Sequence, residues 1–304
     1  RDRDMTVGRP MDSLVRFSIP LLVGNLAQQL YNTVDSIVVG QYIGDTALAA
    51  VGTAGPILNL LLVLFMGIAT GASILSAQYF GAHDRQRLSR VVGASILLTV
   101  SSSILMGFVG FFASPWLMSL VNPPADVLDG AVIYLQIIFI GILGSATYNI
   151  LAGLLRGLGD SLMPLVSLLV ASLLNIVLDI VFVRDLRMGV AGVAWATIIA
   201  QAISGAMCLV RLCRMRQVVD VNKETLRPDW PIIGRLCKLG VPAGITQAIF
   251  SLSAIVVQGL TNSMGTAVIA TSVAVMRVDG FAMMPNFTFG TAATTFVGQN
   301  IGAR

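Results

Sequence analysis

The sequence predicts an all-α membrane protein, a two-lobe helical bundle built from parallel six-helix repeats. Three observations carry that prediction. The first is apolarity: 56% of the residues are hydrophobic and only 11% charged, at a mean hydropathy of +0.85, whereas a soluble domain carries about a quarter charged residues. The second is rhythm, since long apolar runs recur between short polar breaks, and about 20 residues cross a bilayer. The third is internal similarity. "FSIPLL" (17–22) resembles "KLGVPAG" (238–244), setting Pro20 against Pro242 at an offset of 222. "AQYFGA" (77–82) resembles "GQNIGA" (298–303), setting Gln78, Gly81 and Ala82 against Gln299, Gly302 and Ala303 at an offset of 221. Six spans fit between the repeat starts, an even number, so both copies run in the same direction through the membrane.

Span 1 (13–40) follows the basic segment 1–12. Pro20 removes a backbone donor within it and is expected to bend the helix, and Asp35 lies about 7 Å below Gly40 at the outer end. Span 2 (46–80) contains Gly67-x-x-x-Gly71, a spacing that permits close helix contact, and is followed by "GAHDRQR" with the only histidine, His83, in a solvated loop. Span 3 (88–112) opens beside Arg85, Arg87 and Arg90. Span 4 (126–156) carries Tyr134, the deeper Asn149, and Gly153-x-x-x-Gly157 at its inner end.

A turn at "GLGD" (157–160) leads to span 5 (161–183). There Asn175 and Asp179, four residues apart, project from one face, and Asp179 lies about 7 Å below Arg184. Span 6 (189–214) places Thr197 about 12 Å below Gly189. A polar stretch then leads to span 7 (231–262) and span 8 (266–299). Span 8 holds Arg277 about 18 Å in from Gly265, and an arginine at that depth faces a wet cavity or an acid. Arg277, Asp279 and Met283 are therefore candidates for a substrate cavity.

These elements divide the chain into an N-terminal segment (1–12), a first lobe of six spans (13–214), a linker (215–230) and the first two spans of a second lobe (231–304). Two of six spans in the second copy imply a longer protein. Placing the N-terminus in the cytoplasm gathers the arginines of residues 1–16, 85–90 and 156 and the cluster from Arg211 to Lys238 on that side, leaving Arg184 and Arg187 outside. The expected location is thus the cell membrane with a cytoplasmic N-terminus. The net charge of +4 reflects topology and contact with the lipid bilayer, not nucleic acid. Cys208, Cys213 and Cys237 lie toward the reducing side and imply no disulfide framework.

Asp35, Asp179, Asn175 and Thr197 share one outer layer on three helices. An ionised aspartate in hydrocarbon costs about 2.5–3.5 kcal/mol, so two together must be protonated, cation-bound or hydrated. Carboxylate, amide and hydroxyl oxygens are hard ligands suited to an alkali cation. There is no Gly-Lys-Ser/Thr phosphate loop and there are only two lysines, so no ATP is expected and an ion gradient is the energy source. A remote alternative is an intramembrane aspartyl protease, because "GLGD" matches Gly-x-Gly-Asp. Such an enzyme needs two carboxylates sharing a proton, and Asp160 sits at the opposite face from Asp35 and Asp179.

Over residues 10–304 the chain resembles the multidrug and toxic compound extrusion (MATE) family. The resemblance rests on "IPLL", "QQLYNTVDSIVVG", "GDTALAAVG", "AQYFGA", "LRGLGDSLMP", "NIVLD" and "VGQNIGA". It implies a cation site at Asp35, Asn175, Asp179 and Thr197, flanked by Tyr134, Asn149 and Gln28, with Pro20 bending the first helix. It implies an antiporter without cofactor, acting as a monomer, that exchanges Na+ or H+ for amphipathic, cationic small molecules by alternating access. The rival within the same superfamily is a flippase of lipid-linked oligosaccharides. The second copy has Val256 or Val257 where the first has Asp35, so the acid belongs to the first lobe alone.

Overall fold

The computed structural model describes residues 4–42, 44–121, 123–222, 224–263 and 266–304. Of residues 31–36, 39, 45, 48, 61, 64, 254–255, 258–259, 261–263, 266–274 and 276–277 it describes the backbone alone. Among the described residues the structure is helical throughout: α1 (Pro10–Tyr42), α2 (Asp45–Gly81), α3 (Arg85–Val121), α4 (Ala125–Ile140), α5 (Ile142–Gly157), α6 (Leu162–Asp179) with a π-helical turn (Ile180–Asp185), α7 (Val190–Arg214), α8 (Trp230–Ser263) and α9 (Thr266–Gly302). Of these, α3, α6 with its turn, and α7 are long and apolar enough to cross a membrane, and five passes qualify if each of two bent pairs counts as one.

The helices follow the predicted spans in order, with one correction. Span 4 is two helices, α4 and α5, meeting at 53°. Gly141 stands at the break, where Ile198 of α7 fills the space that a Cβ would occupy, and a Cβ on Gly144 would lie 3.0 Å from the Ala202 backbone. The small residues let α7 press into the joint. The prolines make no such break: α1 and α8 stay helical through Pro20 and Pro242, which membrane helices tolerate because neighbouring groups satisfy the freed carbonyl.

Helices in both directions alternate, so one end of the bundle gathers Arg85, Arg87, Arg90, Arg211, Arg214 and Arg216. Here it is termed the basic end. An apolar cluster at this end contains Ile68, Leu75, Leu88, Val91, Ile150, Leu154, Leu212 and Leu236, and a second at the opposite end contains Phe65, Met118, Tyr134, Leu135, Val183, Val193 and Ile198. On α3 the side chains of Leu105, Phe108, Phe112 and Trp116 point outward, the surface expected to face lipid tails.

At the centre runs α2, which lies against α3, α4, α5, α8 and α9. Glycines permit this crowding. A Cβ on Gly67 would lie 2.5 Å from the Gly240 carbonyl oxygen and one on Gly71 2.7 Å from that of Leu236, both on α8. On the other flank a Cβ on Gly153 of α5 would lie 2.7 Å from the Ala69 oxygen. Both glycine pairs therefore serve the close helix contact that their spacing predicts.

The stretch between α7 and α8 is packed, not loose. Val219 is 1% exposed, Asp220 pairs with Arg85 at 2.6 Å while its N–H donates to the Ser89 hydroxyl at 2.9 Å, and Asp229 pairs with Arg90 at 3.4 Å. The two ion pairs are exposed and contribute little individually; the buried Val219 and the Asp220–Ser89 bond fix the strap.

Candidate cation site

The half of the bundle away from the basic end holds the polar layer. Asn175 is 1% exposed and Asp179 fully buried; one turn apart on α6, both face inward. A buried carboxylate in a membrane bundle must be neutralised by a proton, a cation or a donor. Asp179 is also the last residue of α6 before the backbone widens into the π-helical turn. In that turn the amide of Leu186 reaches the Val181 oxygen at 3.0 Å and that of Met188 the Phe182 oxygen at 2.9 Å. π-helical turns accompany functional sites because they change which way the following residues project and free carbonyls from the regular pattern. No feature of the residue pattern announced this turn.

Thr197, half-buried on α7, donates its hydroxyl to the Val193 oxygen one turn back at 2.9 Å. α7 packs along α6 and its π-helical turn, so Thr197 and Asp179 belong to adjacent elements. Tyr134 of α4 is 8% exposed in the cluster that also holds Val183 and Val193, the residues that flank this layer from the turn and from α7. α1 lies against α6 and touches the turn. Asp35 belongs to α1, and its side chain is outside the described residues. α6, its turn, α7 and α1 are thus neighbours in this part of the bundle.

Other predicted residues have the following surroundings. Asn149, in α5, turns its amide onto the Ser145 oxygen of its own helix at 2.8 Å. Gln28 is half-buried on α1, while Asp279 and Met283 are exposed on α9 and the Arg277 side chain is outside the described residues. Asp160 serves the architecture. Its carboxylate accepts from Arg211 at 3.1 Å and from the Met163 amide at 3.2 Å, tying α7 to the start of α6. Its oxygens thus hold a helix start at the basic end, in the half of the bundle away from Asp179.

One link between the repeats has no counterpart in the residue pattern: the Asn25 amide of α1 donates to the Thr288 hydroxyl of α9 at 3.0 Å. Thr288 is 2% exposed and Asn25 exposed, so this bond lies at the edge of the seam between α1 and α9.

Comparison with known proteins agrees with this architecture. The family model described as MatE matches residues 20–181 and 242–304. "Probable multidrug resistance protein YpnP" of Bacillus subtilis (strain 168) is 33% identical over 299 residues, 98% of this chain and 67% of its own. "Probable multidrug resistance protein YoeA" of the same organism is 30% identical over 298 residues, covering 96% and 64%. The chain therefore spans about two thirds of the length of these relatives. Among solved structures, a MOP superfamily transporter from Pyrococcus furiosus superposes with a TM-score of 0.92 at 26% identity, over 100% of this chain and 67% of that one.

Proposed function

The chain belongs to the MatE family, and we propose that the protein it represents is a secondary antiporter that exports amphipathic, cationic small molecules in exchange for Na+ or H+. The observation that carries the reading is the fully buried Asp179 beside Asn175 at the mouth of a π-helical turn. With the Thr197 hydroxyl and the carboxylate of Asp35, these supply the oxygen donors that a hard monovalent cation prefers. A proton on the same carboxylates neutralises them equally well.

In this reading the cation reaches the polar layer from outside, and its arrival favours the packing of α1, α6 and α7 that releases the exported molecule. Cation and drug then weaken each other's binding by the same factor, as linkage requires. The arginines of the basic end support a cytoplasmic assignment for that end, in the cell membrane. The bilayer and the exported compound are the partners, with no ATP and no further cofactor.

The test uses the full-length protein in proteoliposomes, with sodium and pH gradients imposed separately and ethidium as the reporter. Asp179→Asn and Asp35→Asn are each expected to reduce gradient-driven efflux at least about tenfold, the scale of a lost coupling energy. Undiminished efflux in both variants refutes the cation site.

A further inference from the structure

The repeated motif does more than record duplication, because its two copies touch. A Cβ on Gly81, in the first copy, would overlap the Gln299 carbonyl, and a Cβ on Gly302, in the second, would overlap that of Gln78. Each glycine lies on the backbone of the other copy's glutamine, at the basic ends of α2 and α9. Only a residue without a side chain permits that approach.

The Gln299 side chain, fully buried, then binds in two directions. Its Oε1 accepts from the Met5 amide at 2.9 Å, and its Nε2 donates to the Gly157 oxygen at 3.0 Å. Gly157 is the last residue of α5, and its carbonyl is one that a helix end leaves without an intrahelical donor. Asn300 adds a bond from its amide to the Met5 oxygen at 3.2 Å. The Met5 side chain, 6% exposed, is packed into a small cluster with Phe17 of α1 and Ala292 of α9. Residues 4–6 are therefore fastened by backbone and side chain across α1 and α9, and one glutamine joins them to α5.

We propose that the 4–6 segment, Gln299 and Asn300 form a latch that holds the basic end of the bundle closed and must release before that end opens. The proposal rests on the alternating-access reading above. Separation of α2 from α9 at Gly81 and Gly302 withdraws Gln299 from the first-repeat carbonyl of Gly157. It also uncovers the Met5 pocket. Withdrawing a fully buried amide from Met5 and Gly157 is costly until water replaces those bonds, so the two contacts oppose opening jointly.

The experiment measures the rate at which a soluble maleimide labels single cysteines in the full-length protein, with Cys208, Cys213 and Cys237 replaced by serine. Ala292→Cys reports on the covered pocket. Ala131→Cys, fully buried in the cluster at the opposite end, reports on unfolding. Gln299→Ala is expected to speed labelling at position 292 about tenfold, the population change that losing two hydrogen bonds brings, with no change at position 131. Because Gln299 is fully buried, Asn300→Ala, at a half-buried position, is the second arm and is expected to act in the same direction. Unchanged labelling at position 292 in both variants, or equal acceleration at both positions, overturns the latch. The result does not depend on ion-driven efflux, so failed transport in the unaltered protein refutes the antiport reading and leaves the labelling result standing.

Discussion

Asp179 and Asp160 are both almost fully buried aspartates, yet what surrounds them assigns opposite roles. Asp160 has a guanidinium and a helix-start amide on its oxygens, so its charge is committed to structure. Asp160→Ala is expected to lower stability by about 1–2 kcal/mol, the range for losing a helix-start acceptor, and to leave ethidium efflux per folded molecule unchanged. Thermal unfolding in detergent alongside the efflux assay checks both halves. Asp179 sits instead among elements of the opposite half, next to an amide and close to a helix irregularity, and its variants are expected to spare folding and remove transport. Of the two buried acids, the sequence singled out Asp179 by depth and by its spacing from Asn175. The side-chain partners that define Asp160 became visible only when α6 and α7 were brought together.

Among the elements, the glycine faces of α2 are the most demanding. A side chain at Gly67 or Gly71 meets the backbone of α8, which has no rotamer through which to yield. Gly67→Val is therefore expected to cost at least about 2 kcal/mol, within the range for overpacked interiors, and to splay α8 from α2. A cross-link between cysteines placed on the two helices reads that separation, and an unchanged cross-linking yield contradicts it. By contrast a Cβ on Gly280 or Gly290 of α9 would meet no atom within 4 Å, and alanine at either is expected to leave stability within about 0.5 kcal/mol. The Gly-x-x-x-Gly spacing gave the α2 contacts away in advance. The break between α4 and α5 did not show itself, because it depends on Ile198 of a helix more than 50 residues later pressing on Gly141.

In the whole molecule, the basic end is closed by pieces distant in sequence: the 4–6 segment, the ends of α5 and α9, and the strap between α7 and α8. Asp4 stabilises the first of these. Burial raises its pKa, but hydrogen bonds from the Thr6 hydroxyl and amide help to outweigh that, and the carboxyl is held below its ordinary value of 3.8. A carboxylate with a lowered folded-state pKa contributes stability above its unfolded value and loses it only as pH falls through the lower one. Closure of this end is thus expected to be independent of Asp4 ionisation at neutral pH and to weaken only under strongly acid conditions. Maleimide labelling at position 292 measured across pH, with maleimide reactivity calibrated on an exposed cysteine, gives the check. Accelerated labelling between about pH 8 and 6 that Asp4→Asn abolishes contradicts this assignment.

The sequence by itself determined the all-helical membrane bundle, the order of its helices and the duplicated plan, and it drew attention to Asn175 and Asp179, which the fold buries. Each follows from hydropathy, helical spacing or self-similarity, all properties of residues near one another in the chain or compared letter by letter. Only the tertiary structure decided that α6 ends in a π-helical turn at Asp179, that α4 and α5 part at Gly141, and that the two copies of one motif close upon each other over Gly81 and Gly302. Those outcomes arise from backbones meeting across as many as 224 positions, from Gln78 to Gly302, where the shape of one helix sets the geometry of another and no local pattern carries the information.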